Sequence, residues 1–203
     1  MSDLTELEKD ALIEMFNIGV GRSAAALNQL VSQDVSLNVP DLNLIPNSEA
    51  IKRLKQQNWE PVSAVTQMFQ GDFSGQAILL FTQEGGMKLV RRLLGDSVPL
   101  ETLSELEQDS LVEIGNIILN ACFGTVINFL HADIVIDIPR FRQGQIEEIY
   151  DHVSKGDWSL YVEVNFSLPN DSIEGSVSFI MDFESRTIFR NAVRRFVDGI
   201  DAA

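Results

Sequence analysis

Apolar residues surround most of the circumference of two long stretches, about Glu6 to Val31 and about Glu105 to Leu130. The first carries Leu12, Ile13, Met15, Phe16 and Ile18, the second Leu111, Val112, Ile114, Ile117 and Ile118. Such a pattern predicts long helices that are largely covered. Each is followed by an alternating strand pattern stopped by proline: Val35, Leu37 and Val39 before Pro40, then Ile134, Ile136 and Ile138 before Pro139. Pro61 to Phe69 and Gly75 to Phe81 read as a hairpin around Gly71 to Ser74. Trp158 to Leu168 and Gly175 to Met181 repeat this around Pro169, Asn170 and Asp171. Glu84 to Leu94 and Ser185 to Val197 are helical, with arginines towards their C-terminal ends where the helix dipole favours them. The linking segments 41–60 and 140–157 resemble each other least. Within them Ile51 to Gln57 and Ile146 to Val153 suit short helices, and neither segment suggests function.

The order of elements is therefore stated twice, and so are particular residues. Asp10, Glu14, Asn17 and Pro40 recur as Asp109, Glu113, Asn116 and Pro139 at an offset of 99 residues. The lead-in Leu4-Thr5-Glu6-Leu7-Glu8 recurs as Leu103-Ser104-Glu105-Leu106-Glu107 at the same offset. An internal repeat dictates architecture. The expectation is an α/β (α+β) fold, internally duplicated and pseudo-twofold, with long surface helices packed on an antiparallel β-sheet. Residues 1–203 would form a single domain of two repeats, about 4–97 and 103–197.

Charge narrows the partners. Thirty Asp and Glu against fifteen Lys and Arg give a net charge of −15, which repels phosphate backbones and anionic membrane surfaces. Nucleic acid is excluded as an expected partner. Leu111 to Leu130 is apolar enough to raise a membrane span, but Glu113, Asn116, Asn120 and Asn128 would be costly in hydrocarbon, so no membrane insertion is expected. The acidic start, with Asp3, Glu6 and Glu8, does not suit a signal peptide. Together with the single Cys122, read as a small buried hydrophobe, it points to a cytoplasmic protein. His131 and His152 are too few and too scattered for a metal site, so no metal ligands are assigned. Neither a nucleophile elbow nor a glycine-rich phosphate loop is present.

The chemistry-bearing feature is a stripe. Positions 10, 14, 17 and 109, 113, 116 follow i, i+4, i+7 spacing, so Asp, Glu and Asn share one narrow face of each long helix. A carboxylate can pair with a cation, and a carboxamide can both donate and accept hydrogen bonds to a water or an oxyanion. The plainest reading is a solvated edge. Against it, neighbouring positions differ between copies (Phe16 and Gly115, Gly21 and Asn120, Ala24 and Phe123) while Asp, Glu and Asn stay identical.

The pattern Asp-x3-Glu-x2-Asn, then twenty-two residues and a Pro, present in both copies, resembles the signature of the CheC, CheX and FliY phosphatases over nearly the whole chain. The segment Asn17 to Leu27 resembles that family's small-residue helix continuation. The resemblance implies hydrolysis of the aspartyl phosphate of a phosphorylated CheY-type response regulator, in chemotaxis or related two-component signalling. Asn17 and Asn116 would orient the attacking water, and Glu14 and Glu113 would pair with the regulator's lysine. Asp10, Asp109, Pro40 and Pro139 would support the motif. The protein would need no cofactor of its own, the regulator supplying Mg²⁺. Two intact copies look closest to CheC, whereas FliY carries further segments at both ends and is disfavoured. CheC in some bacteria also binds the deamidase CheD, a further partner to which no residue is assigned. Phe16 departs from the glycine that often precedes the Asn and that Gly115 retains. Two rivals stay open: a non-catalytic phospho-regulator binding module or adaptor, for example one binding CheD, and a purely structural duplicated domain.

Overall fold

The computed structural model describes residues 4–31, 34–94, 105–153, 157–168 and 171–201. Helix α1 (Glu6–Val31) leads to strands β1 (Ser36–Asn38) and β2 (Leu42–Pro46), helix α2 (Asn47–Gln56), strands β3 (Val62–Gly71) and β4 (Gly75–Thr82) and helix α3 (Gln83–Leu94). The same order follows as α4 (Glu105–Leu130), β5 (Ile134–Ile136), β6 (Arg140–Gly144), α5 (Ile146–Val153), β7 (Trp158–Leu168), β8 (Asp171–Met181) and α6 (Phe183–Asp201). This is the expected α+β architecture, with helices packed on an antiparallel sheet.

The sheet has eight strands. Its central path runs β1-β7-β8-β4-β3-β5, with β2 also on β7 and β6 also on β3. Each half thus lends its two short strands to the long hairpin of the other: Leu42 lies opposite Val162, and Phe141 opposite Val65. Alternation divides the sheet into two faces. Val65, Phe69, Leu79, Val162, Phe166 and Phe179 join the core shared with α1, α3, α4 and α6. Val62, Ala64, Ile78, Leu80 and Tyr161 pack instead with Ala50 and Leu54 of α2 and Ile146 and Ile149 of α5.

Several expectations need correction. Strands β2 and β6 read as linkers in the sequence; β6 is Arg-Phe-Arg-Gln-Gly, and it is held by backbone pairing along β3 rather than by an apolar face. Helix α2 begins at Asn47, before Ile51, and β8 begins at Asp171 within the expected turn, while Pro169 and Asn170 lie outside the described residues, as do Leu103 and Ser104 of the repeated lead-in. Helix α4 needs no such correction: although long and apolar enough to span a membrane, it is covered as its all-round apolar pattern predicts, with Leu111, Ile118, Leu119, Phe123 and Val126 buried in the shared core.

The long helices start and meet by definable contacts. Thr5 and Glu8 form a reciprocal cap: the Thr5 N–H donates to Glu8 Oε2 at 2.8 Å, and the Glu8 N–H donates to Thr5 Oγ1 at 3.2 Å. Glu8 also pairs with Arg194 of α6 at 3.5 Å, while Glu107 of α4 pairs with Arg91 of α3 at 2.9 Å. Both ion pairs join one half of the chain to the other. Helices α1 and α4 touch where Gly19 lacks a side chain; a Cβ there would sit 2.7 Å from Cys122 Cα. Cys122 is buried, and burial pushes its thiol up to about 12 despite a hydrogen bond with Ser23. Such a thiol stays protonated and unreactive at neutral pH.

Candidate functional site

Asp10, Glu14, Asp109 and Glu113 are exposed, and Asn17 and Asn116 are half-buried. The stripe therefore lies on the open face of each long helix. Phe16 points away from it: the ring is 1% exposed and packs at 5.6 Å from Phe179. Gly115 serves the opposite need, because a Cβ there would fall 2.7 Å from the side chain of Val65. Helix α4 can approach β3 closely only without one.

The two asparagines differ in what they hold. Asn17 Oδ1 accepts the Val39 N–H at 2.9 Å, and Asn17 Nδ2 donates to the Val39 carbonyl at 3.4 Å. Both ends of the carboxamide are thereby committed to the residue before Pro40. Two residues further on, Asp41 pairs with Lys9 at 2.5 Å. Burial alone would raise the Asp41 carboxyl, but hydrogen bonds from Lys9 and Asn43 hold it below the usual carboxylate range. The segment between β1 and β2 is thus fastened onto α1 at two points.

The second copy is built differently. Gln108 and Arg140 stand where Lys9 and Asp41 would be and cannot form the equivalent salt bridge. The Ile138 N–H, counterpart of the Val39 donor, is taken by Asp137 Oδ1 at 2.7 Å, and Ile138 is 77% exposed. An open groove of about 520 Å³ results, lined by Glu113, Asn116 and Pro139 of the expected motif together with Gln67, Asn120 and Asp137. Val112, Ile136 and Ile138 complete its lining. Asp109 does not line this groove.

The sequence motif assigns neither Gln67 nor Asn120 to the site. Asn120 Nδ2 donates to Asn116 Oδ1 at 2.7 Å; Gln67 Nε2 donates to Asn120 Oδ1 at 3.3 Å and to the Asp137 carbonyl at 2.8 Å. Two signals were available. Asn120 continues the stripe one turn beyond Asn116, and Gln67 is a polar residue between the inward-facing Val65 and Phe69 of β3. Among the described residues, no group of three or more His, Cys, Asp or Glu side chains converges as a metal site.

No protein-family model matches the chain. The flagellar motor switch phosphatase FliY of Bacillus subtilis (strain 168) is 26% identical over 170 residues, covering 83% of this chain and 44% of that protein. The CheY-P phosphatase CheC of the same organism is 24% identical over 139 residues, 67% of this chain and 66% of CheC. The chain thus spans under half of FliY and about two thirds of CheC. Among solved structures, Thermotoga maritima FliY superposes with a TM-score of 0.76 at 17% identity, covering 96% of this chain and 99% of that one. The FliM middle domain from H. pylori has the same fold, with a TM-score of 0.68 at 12% identity, covering 92% and 98%. These comparisons do not separate a CheC-like from a FliY-like chain. They agree with the doubled Asp-Glu-Asn-Pro motif: the chain is similar in sequence to FliY and CheC and shares the fold of FliY.

Proposed function

We propose that this protein is a phosphatase acting on the aspartyl phosphate of a CheY-type response regulator, with its principal site on α4. The observation that carries this reading is the Asn116 carboxamide: its oxygen is held by Asn120, while its Nδ2 takes no partner among the described residues, in a groove shared with Glu113 and Pro139. Hydrolysis of an acyl phosphate needs an in-line water and neutralised charge rather than a covalent helper. The water oxygen forms a bond to phosphorus, the bond between phosphorus and the aspartyl oxygen breaks, and the carboxylate leaves with that electron pair. The water's protons pass to phosphate and solvent.

In this scheme the regulator contributes Mg²⁺ and its lysine, Asn116 orients the water, and Glu113 pairs with the lysine to fix the docked pose. The apolar surface of Val112, Ile136 and Ile138 gives the regulator an area to bury. Glu14 and Asn17 form the equivalent first site, which is the weaker of the two because Asn17 must release Val39 before its carboxamide can reach a water. In this proposal the protein works in the cytoplasm.

The test is the decay of a phosphorylated CheY-type regulator from the same cell, with substoichiometric protein. Accelerated decay that is lost in Asn17→Ala, Asn116→Ala supports the proposal. Unchanged decay with stable complex formation makes the protein a phospho-regulator binding module instead.

A further inference from the structure

We propose that Gln67 and Asn120 are positioning residues that fix which end of the Asn116 carboxamide faces the groove. The direction of the chain of hydrogen bonds is set by a group that cannot be reversed. The Asp137 backbone carbonyl only accepts, so the Gln67 side-chain group 2.8 Å from it is the NH₂. The same NH₂ contacts Asn120 at 3.3 Å, which makes that Asn120 atom its oxygen. The Asn120 NH₂ is then the group 2.7 Å from Asn116, which must present its oxygen to it. What remains of Asn116 for a ligand is a donor NH₂. A donor suits a water oxygen or a phosphoryl oxygen and does not suit an ammonium or a backbone N–H.

The relay belongs to the second site alone. Gly21 occupies the position of Asn120 in the first repeat, and Val164 occupies the position of Gln67 on β7. Its anchor is rigid, because Gln67 is 4% exposed under α4, whereas Asn120 is exposed and open to substitution without loss of fold.

The consequence for turnover rests on the phosphatase reading; the orientation itself does not, and the experiment separates them. Asn120→Asp replaces the donor next to Asn116 with an acceptor and should turn the carboxamide, placing its oxygen in the groove. Asn120→Ala should leave it free to rotate. At saturating phosphorylated regulator, kcat should fall about 100-fold in Asn120→Asp, the cost typical of losing one oriented donor, and only several-fold in Asn120→Ala. An effect of the added charge alone would instead raise KM and fade with salt. Side-chain amide exchange in ¹⁵N-labelled protein without regulator gives the second readout. Asn116 NH₂ protons should exchange quickly and Asn120 NH₂ protons slowly in wild type, with Asn116 becoming protected in Asn120→Asp. Wild-type kcat in both variants, or a protected Asn116 NH₂ in wild type, overturns the proposal. If wild type does not hydrolyse the regulator, the phosphatase reading fails, and the exchange pattern alone decides the relay.

Discussion

Asn17 and Val39 are joined by two hydrogen bonds, the Val39 N–H to Asn17 Oδ1 at 2.9 Å and the Asn17 Nδ2 to the Val39 carbonyl at 3.4 Å. Val39 is 3% exposed, so removing the carboxamide strands a buried N–H and a buried carbonyl. A buried donor left unsatisfied costs about 1–3 kcal/mol. Asn17→Ala should therefore lower the unfolding free energy by about that much, while Asn116→Ala, whose carboxamide bonds to the exposed Asn120, should stay within about 0.5 kcal/mol of wild type. Urea unfolding of both variants measures the difference, and equal losses would show that Asn17 is not a structural clamp.

Glu113 and Asn116 share a helix face and a groove, but in the proposed reaction they act at different stages. Glu113 contributes to docking, so Glu113→Gln should raise the half-saturating concentration of phosphorylated regulator about tenfold, equivalent to about 1.4 kcal/mol, with kcat little altered. Asn116 contributes to the reacting geometry, so Asn116→Ala should lower kcat with a small change in KM. Single-turnover decay at several concentrations of regulator separates the two. A shared kinetic signature would argue against the division of roles.

Much of this arrangement was legible because it depended on local periodicity. Helices α1 and α4 end where the apolar pattern ends, and the doubled motif marks the helix face from residue spacing alone. Strand β6 was not legible, because it is completed by backbone pairing with a hairpin from the other half of the chain, whereas β2 does alternate, with Leu42 and Leu44 buried on either side of Asn43, but is only five residues long and ends on Pro46. Arg140, Arg142 and Gln143 of β6 carry no strand signature of their own. The difference between the sites was hidden for the same reason. It depends on Gln67, fifty-three residues before its partner Asn120, and on Lys9 reaching Asp41. Identical Asp, Glu and Asn in the two copies concealed different neighbours.

The glycines of α1 make a sharp contrast. A Cβ on Gly19 would meet Cys122 Cα at 2.7 Å and the Ala121 carbonyl oxygen at 2.8 Å, both backbone atoms of the facing helix. Gly21, two residues on, is exposed, and a Cβ there would meet nothing within 4 Å. Gly19→Ala should force α1 and α4 apart and destabilise by about 1–3 kcal/mol. Gly21→Ala should stabilise by about 0.5–1 kcal/mol, because alanine gains helix propensity without a clash. Denaturant midpoints of the two variants should move in opposite directions.

Glu163 sits in β7, where its backbone N–H donates to the Asp41 carbonyl at 3.0 Å. Burial, then repulsion from Asp41, raises its carboxyl above the usual range, and Arg53 only partly opposes this. The folded chain consequently holds the Glu163 proton more tightly than the unfolded chain does. Stability from this group is present below the ordinary glutamate pKa and is lost as pH rises towards the raised folded value. Asp41 behaves in the opposite sense: its lowered carboxyl contributes above the ordinary range, and that contribution is lost as pH falls through the folded value. Glu163→Gln keeps the shape of the neutral form and removes the repulsion, so it should raise Tm at pH 7 and change it much less at pH 4. Lys9→Met removes the cation that lowers Asp41 and should reduce Tm at pH 7 more than at pH 3. Thermal melts of both variants across this range test the pair together, and a Tm difference for Glu163→Gln that does not change with pH would show that its effect is packing rather than charge.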